Sequence, residues 1–323
     1  MKIRIFLVLI IIQVFVILLL GYKIYQKRKN ILGAVSLNPI QKNDIDNNPD
    51  SNLRYFFEPK ANSIQHPFDW LPFKADSTIN SDSLNAMHEY FIQKLPYTFR
   101  IITLGDSFTF GVNVDTKYNW PSQLEKLLNE KLKCQKIQNF EIINLGVGGY
   151  DFEYAVERYR LRGIKYNPDL VLWLMIDFDR IYEKLIPLND KYFKEFKQSG
   201  ELSELVKQGK PYEAFKLANE QVKKEFGEKN VYKYQKKAIR KINDYYNGEL
   251  VLIPLQNVGQ KNKSLLYEFA QIRNKTVIFD KLSDIYSIKN ATLSDSHPSE
   301  IGHQIIAQDI FNYLNNNTLI PCN

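Results

Sequence analysis

Cysteine and histidine are scarce in this 323-residue chain, which has two of the first and four of the second. The histidines are scattered and Cys134 lies far from Cys322, so no metal-ligating cluster and no cofactor are expected. The two cysteines are compatible with one disulfide or with two free thiols. Nucleotide fingerprints are missing as well. The glycine-rich stretch at 146–149 lacks G-x-G-x-x-G spacing, and no P-loop lysine follows it. A basic surface is absent too, despite a formal net charge of +7. Six of the 43 basic residues, and no acidic one, fall within residues 1–30, which leaves 37 basic against 36 acidic residues beyond. A nearly neutral body of this kind gives no reason to expect a nucleic-acid partner.

What is present is the composition of an ordered protein, 44% hydrophobic and 24% charged, with enough length to bury a sizeable core. The N-terminus stands apart. Ile5 to Tyr22 is apolar except for Gln13, and as a helix it spans roughly 27 Å, close to the hydrocarbon core of a bilayer. Arg4 and Lys23 are placed to snorkel. No small-x-small cleavage site follows Leu20, so residues 1–29 are expected to form an uncleaved single-pass anchor rather than a signal peptide. Four basic residues follow the span and two precede it, a bias that favours a cytoplasmic body.

Residues 30–52, rich in Asn, Asp, Ser and Lys, read as a tether, and 53–323 as the main domain. From Leu53 to Tyr97 aromatics recur without a period, suggesting an irregular segment that wraps the core, with a helix over Ser83–Gln93. Five apolar runs then read as buried parallel strands: Phe99–Leu104, Phe140–Leu145, Asp169–Ile176, Glu249–Leu255 and Thr276–Phe279. Helical patterns occupy Trp120–Leu132, Phe152–Gly163 and Ser299–Leu314. The alternation predicts an α/β fold, a three-layer α/β/α sandwich around a five-stranded, mostly parallel sheet of flavodoxin-like type. Residues 180–246 break the rhythm as a Lys/Glu-rich helical insertion, placed where a lid over the carboxyl edge of the sheet would sit.

Chemistry concentrates at two places. Gly105-Asp106-Ser107-Phe108 follows the first strand, and a serine in such a strand-end turn is where α/β proteins hold a nucleophile. Far along the chain, Asp295-Ser296-His297-Pro298 precedes the last helix, where His297 can take the serine proton and Asp295 can orient the imidazole. A third signal is Asn144-Leu145-Gly146-Val147-Gly148-Gly149, whose glycines let the backbone approach a ligand. His303, on the final helix, reads as packing or surface.

These blocks resemble the SGNH (GDSL-type) hydrolases over roughly residues 78–113, 140–178 and 293–314. Ile79 to Leu84 resembles the entry of larger bacterial members. The resemblance implies a serine ester hydrolase that works through an acyl-enzyme. Ser107 would be its nucleophile, His297 the base and Asp295 the orienting carboxylate, with the N–H groups of Ser107 and Gly149 as oxyanion donors. An anchored member implies an acyl-ester substrate such as an envelope glycan or lipid, and so an extracytoplasmic domain, against the flanking charges. The same triad also serves O-acyltransferases, and a binding or assembly protein that has lost turnover is a further alternative. Two departures stand out. Where the family carries Gly-x-Asn-Asp, this chain reads Ile176-Asp177-Phe178-Asp179, and an ionised Asp177 or Asp179 would repel an oxyanion. Asn257 is a candidate replacement donor. The carboxylate also lies two residues before the histidine, where three is usual.

Overall fold

The computed structural model describes residues 45–66, 74–176, 224–255 and 259–322, with isolated positions such as Phe178, Arg180 and Ile181 between them. The expected anchor and most of the tether and insertion lie outside these residues. No helix among those described is long and apolar enough to cross a membrane.

The strands are β1 (Ile45–Asp46), β2 (Glu58–Pro59), β3 (Ser63–Gln65), β4 (Ser77–Ile79), β5 (Thr98–Leu104), β6 (Asn139–Asn144), β7 (Leu170–Met175), β8 (Glu249–Pro254) and β9 (Thr276–Ile278). The α-helices are α1 (Ser107–Phe110), α2 (Trp120–Lys131), α3 (Phe152–Arg158), α4 (Glu228–Arg240), α5 (Gln260–Ile272) and α6 (Glu300–Asn315). Five strands form one sheet in the order β6-β5-β7-β8-β9, every pair parallel. That is the flavodoxin-like order, and its crevice opens at the carboxyl ends of β5 and β7, where the winding reverses.

Side chains alternate across the sheet, so each face has its own core. Ile102, Leu104, Val171 and Trp173 pack beneath α3, α4 and α5, while Ile101, Leu172 and Leu174 pack beneath α2 and α6. Trp173 is fully buried with its ring edge-on to Phe152 at 5.7 Å. All five strands and the three-layer plan match the sequence reading.

Several local expectations change. Residues 83–93 form no helix. Two carbonyls an i→i+4 ladder would need are taken by side chains, Ser83 O by Arg158 and His88 O by Asn80, and beyond them Phe91 O and Ile92 O accept from Arg100. The tether is shorter than read, because β1 pairs with β2 and Asn52 N–H donates to Glu157. The end of the insertion is core, since Ala238 and Ile239 of α4 are buried against the sheet. Helix α5, with Leu265, Leu266 and Phe269 buried, has no counterpart in the sequence reading. The irregular wrap is as expected: Phe56 and Phe57 pack on Tyr150 and Tyr154. Between the two cysteine readings, the structure has the disulfide, Cys134–Cys322, joining the end of α2 to the chain terminus.

Candidate active site

Ser107 opens α1 directly beyond β5. Asp106 caps the helix, accepting from Phe108 N–H at 3.0 Å, and Gly111 ends it at φ 85° in the left-handed region. The turn is pressed tightly into the sheet. A Cβ on Gly105 (φ 151°) would lie 2.2 Å from Thr109 Oγ1, so only glycine fits. From the neighbouring strand, Asn144 Nδ2 donates to Thr109 O at 2.9 Å, while Asn144 Oδ1 accepts from Gly146 N–H at 2.9 Å. A Cβ on Gly146 would lie 2.5 Å from Phe110 N. Asn144 and Gly146 thus lock the second motif against the Ser107 turn.

His297 and Asp295 come from far along the chain. His297 Nε2 lies 2.9 Å from Ser107 Oγ, and His297 Nδ1 lies 3.0 Å from Asp295 Oδ2. With Nδ1–H donating to the carboxylate, Nε2 is left as the acceptor facing the serine hydroxyl. The ring packs on Phe108, 5.5 Å between centroids. Burial alone raises the Asp295 carboxyl, but the hydrogen bonds and charge of His297 outweigh it and hold Asp295 below the usual carboxylate range.

The short carboxylate–histidine spacing has a backbone explanation. Ser296, between them, sits at φ 70°, and this left-handed residue brings Asp295 and His297 to one side of the loop. Leu293 N–H donates to His297 O and Ser296 N–H to Leu293 O, closing the turn. Ser299 then caps α6, accepting from Gly302 N–H. Sequence reasoning missed one member of this group. Asn113 Nδ2 donates to Asp295 Oδ2 at 2.7 Å, so that oxygen serves both His297 and an amide.

His303 is packing, as one of its two readings had it. It is fully buried, accepts from Trp120 N–H at Nδ1, and is held neutral by burial and by His297, with its pKa lowered to about 3. The N–H groups of Ser107 and Gly149 donate to no acceptor among the described residues, and Gly149 has φ 86°. Asp177, Asp179 and Asn257 lie outside the described residues. Among those described, no group of three or more His, Cys, Asp or Glu side chains is arranged to hold a metal ion.

No family model matches the chain, and no curated protein matches it in sequence. Solved structures with ester-cleaving names do align with it. An acetylxylan esterase from Geobacillus stearothermophilus, solved as a catalytic mutant, is 14% identical, with 68% of this chain and 95% of that one covered at a TM-score of 0.40. A lipase/acylhydrolase from Enterococcus faecalis is 13% identical over 68% and 96%, at 0.40. A two-domain esterase active on acetylated mannans is 17% identical over 68% of this chain and 50% of that one, at 0.42.

Proposed function

We propose that this chain is a serine ester hydrolase. One observation carries the reading: Ser107 Oγ, His297 and Asp295 form an unbroken hydrogen-bonded relay, 2.9 Å and 3.0 Å per link, at the crevice where the strand order reverses. In the reaction, Ser107 Oγ attacks the ester carbonyl carbon as its proton passes to His297 Nε2. Asp295 stabilises the imidazolium so formed. The oxyanion accepts from the N–H groups of Ser107 and Gly149. His297 then protonates the departing alcohol oxygen, and the acyl-enzyme is hydrolysed by water that His297 deprotonates.

Acylated glycans of the cell envelope are the substrate class we favour. An anchor at residues 1–29 would hold the domain at a membrane. The Cys134–Cys322 disulfide supports an oxidising, extracytoplasmic compartment. An alcohol reaching the acyl-enzyme before water would make the same site an acyltransferase, so the assay is run with and without an acceptor glycan.

The test uses the full chain in detergent with a fluorophosphonate probe and short-chain aryl esters. Wild type is expected to form a covalent adduct and release the alcohol. Ser107→Ala is expected to lose both, with turnover reduced on the order of 10⁴–10⁶. An adduct or hydrolysis that survives Ser107→Ala would sink the proposal.

A further inference from the structure

In a parallel sheet the segments that enter the strands gather at the edge opposite the active site. Here that edge carries an unusual surface. Phe91, Ile92, Leu95 and Tyr97, leading into β5, are exposed by 68%, 60%, 49% and 62%. Their backbone is fixed, because the buried Arg100 guanidinium holds Phe91 O and Ile92 O, and Lys94 pairs with Asp169. These apolar groups are therefore held outward by a rigid frame.

Tyr97 adds a second observation. It sits at φ 60°, where an L-residue is strained and glycine is not, yet it presents a bulky aromatic ring to solvent. Its carbonyl accepts from Gln138 N–H and Asn139 N–H, so the chain entering β6 lies beside it. That chain supplies Lys131, Lys133 and Lys136, all exposed and in no ion pair with the described residues. Glu89, Glu130 and Asp244 are exposed acids near this edge, Glu89 held by Ser81 and Glu130 facing Lys126.

We propose that this amino-terminal edge lies on an anionic lipid surface, the aromatic and aliphatic side chains entering the headgroup region and the three lysines meeting lipid phosphates. The inference rests on reading residues 1–29 as an anchor, which keeps the domain beside a bilayer. The tether that follows is long enough to let this face lie flat. A second copy of the chain is a poor occupant, since two-fold pairing would set the same lysines against each other. Strands of six or seven residues separate this edge from Ser107 by roughly 20 Å. A docked domain thus turns its catalytic crevice away from the bilayer, toward soluble or wall-linked esters rather than membrane lipid.

The experiment places an indole on each edge of the full chain, Ile92→Trp and Lys289→Trp, in vesicles with about 30 mol% phosphatidylglycerol. Brominated lipid is expected to quench the indole at 92 and spare the one at 289. Lys131→Glu, Lys133→Glu and Lys136→Glu together are expected to weaken the contact on the order of a hundredfold, with fluorophosphonate labelling of Ser107 as the check on folding. Loss of quenching at high salt supports the same conclusion. An unquenched indole at 92 in anchored protein overturns the proposal. So does shielding already present in lipid-free monomer, which would mean a chain segment covers the face, or shielding that grows with protein concentration. Flotation after an alkaline wash reads the anchor separately, so floating protein with a water-exposed indole at 92 defeats the docking face alone.

Discussion

Two polar clusters in this fold follow opposite rules. Around Glu58, which is almost wholly buried, both carboxylate oxygens are taken: Arg158, Arg162 and Asn48 donate to them, and Arg162 continues to Asp82, which also holds Lys165 and Tyr166. A single atom, Arg158 Nε, is left without a partner. Around Ser107 the side chains are half-exposed, and two backbone N–H groups have no acceptor among the described residues. A cluster that only holds geometry saturates its donors and acceptors, because each one left unpaired in the interior costs about 1–3 kcal/mol. A cluster that awaits a reacting group keeps some unfilled. Ser107→Ala, the largest effect expected here, should therefore remove turnover while leaving the melting temperature nearly unchanged.

The converse substitution sharpens the contrast. Glu58→Gln leaves the buried Arg158 without a carboxylate, while Arg162 keeps Asp82, and is expected to cost about 3–5 kcal/mol of stability with little change in turnover per folded molecule. Its pH dependence has a definite sign. Burial raises the Glu58 carboxyl, but the charges of Arg158 and Arg162 outweigh it and bring the pKa from 4.5 to about 2. The folded state therefore binds fewer protons than the unfolded one between these values. The contribution is complete above about pH 4.5 and lost as pH falls toward 2, a change of about 3 kcal/mol. Denaturant melts of wild type and Glu58→Gln from pH 7 down to pH 2.5 should converge toward the acid end. Curves that stay parallel would show the carboxylate to be unlinked to folding.

Within the Ser107 cluster, Asn113 is the member whose loss should matter without being decisive. It shares Asp295 Oδ2 with His297 and touches no reacting atom, so it is a positioning residue. It also lies at φ 67°, which makes Asn113→Gly the clean deletion. Removing one hydrogen bond to a charged oxygen is worth about 1.5 kcal/mol, or roughly tenfold in kcat/KM, carried by kcat. A fall in stability with kcat unchanged would make Asn113 merely structural.

How much of this is legible in the sequence depends on how local each feature is. The strands are readable because runs such as Leu170–Met175 are apolar throughout, as strands covered on both faces must be. Ser107 and His297 are readable because each stands in a short motif beside a strand or helix end. Asn113 is not, since nothing in its neighbourhood announces a partner 182 residues away. The missing helix at 83–93 fails for the same reason. Its carbonyls are claimed by Asn80, Arg100 and Arg158, and two of those three come from other elements. Helix α5 escapes the sequence reading because its buried stripe is short, only Leu265, Leu266 and Phe269 among mostly polar neighbours.

Ser296 carries the smallest expected effect and the narrowest test. The spacing of Asp295 and His297 looks like a weakness in the sequence, but the left-handed Ser296 resolves it at a conformational cost that glycine would not bear. Its N–H bond to Leu293 O is backbone and survives substitution. Ser296→Gly should therefore preserve the 2.9 Å and 3.0 Å links of the relay, with kcat/KM within about twofold and stability up by no more than about 1 kcal/mol. Ser296→Val, β-branched and disfavoured at positive φ, should lower both. If valine were as active as glycine, the positive φ would not be what aligns the carboxylate with the histidine, and the short spacing would need another explanation.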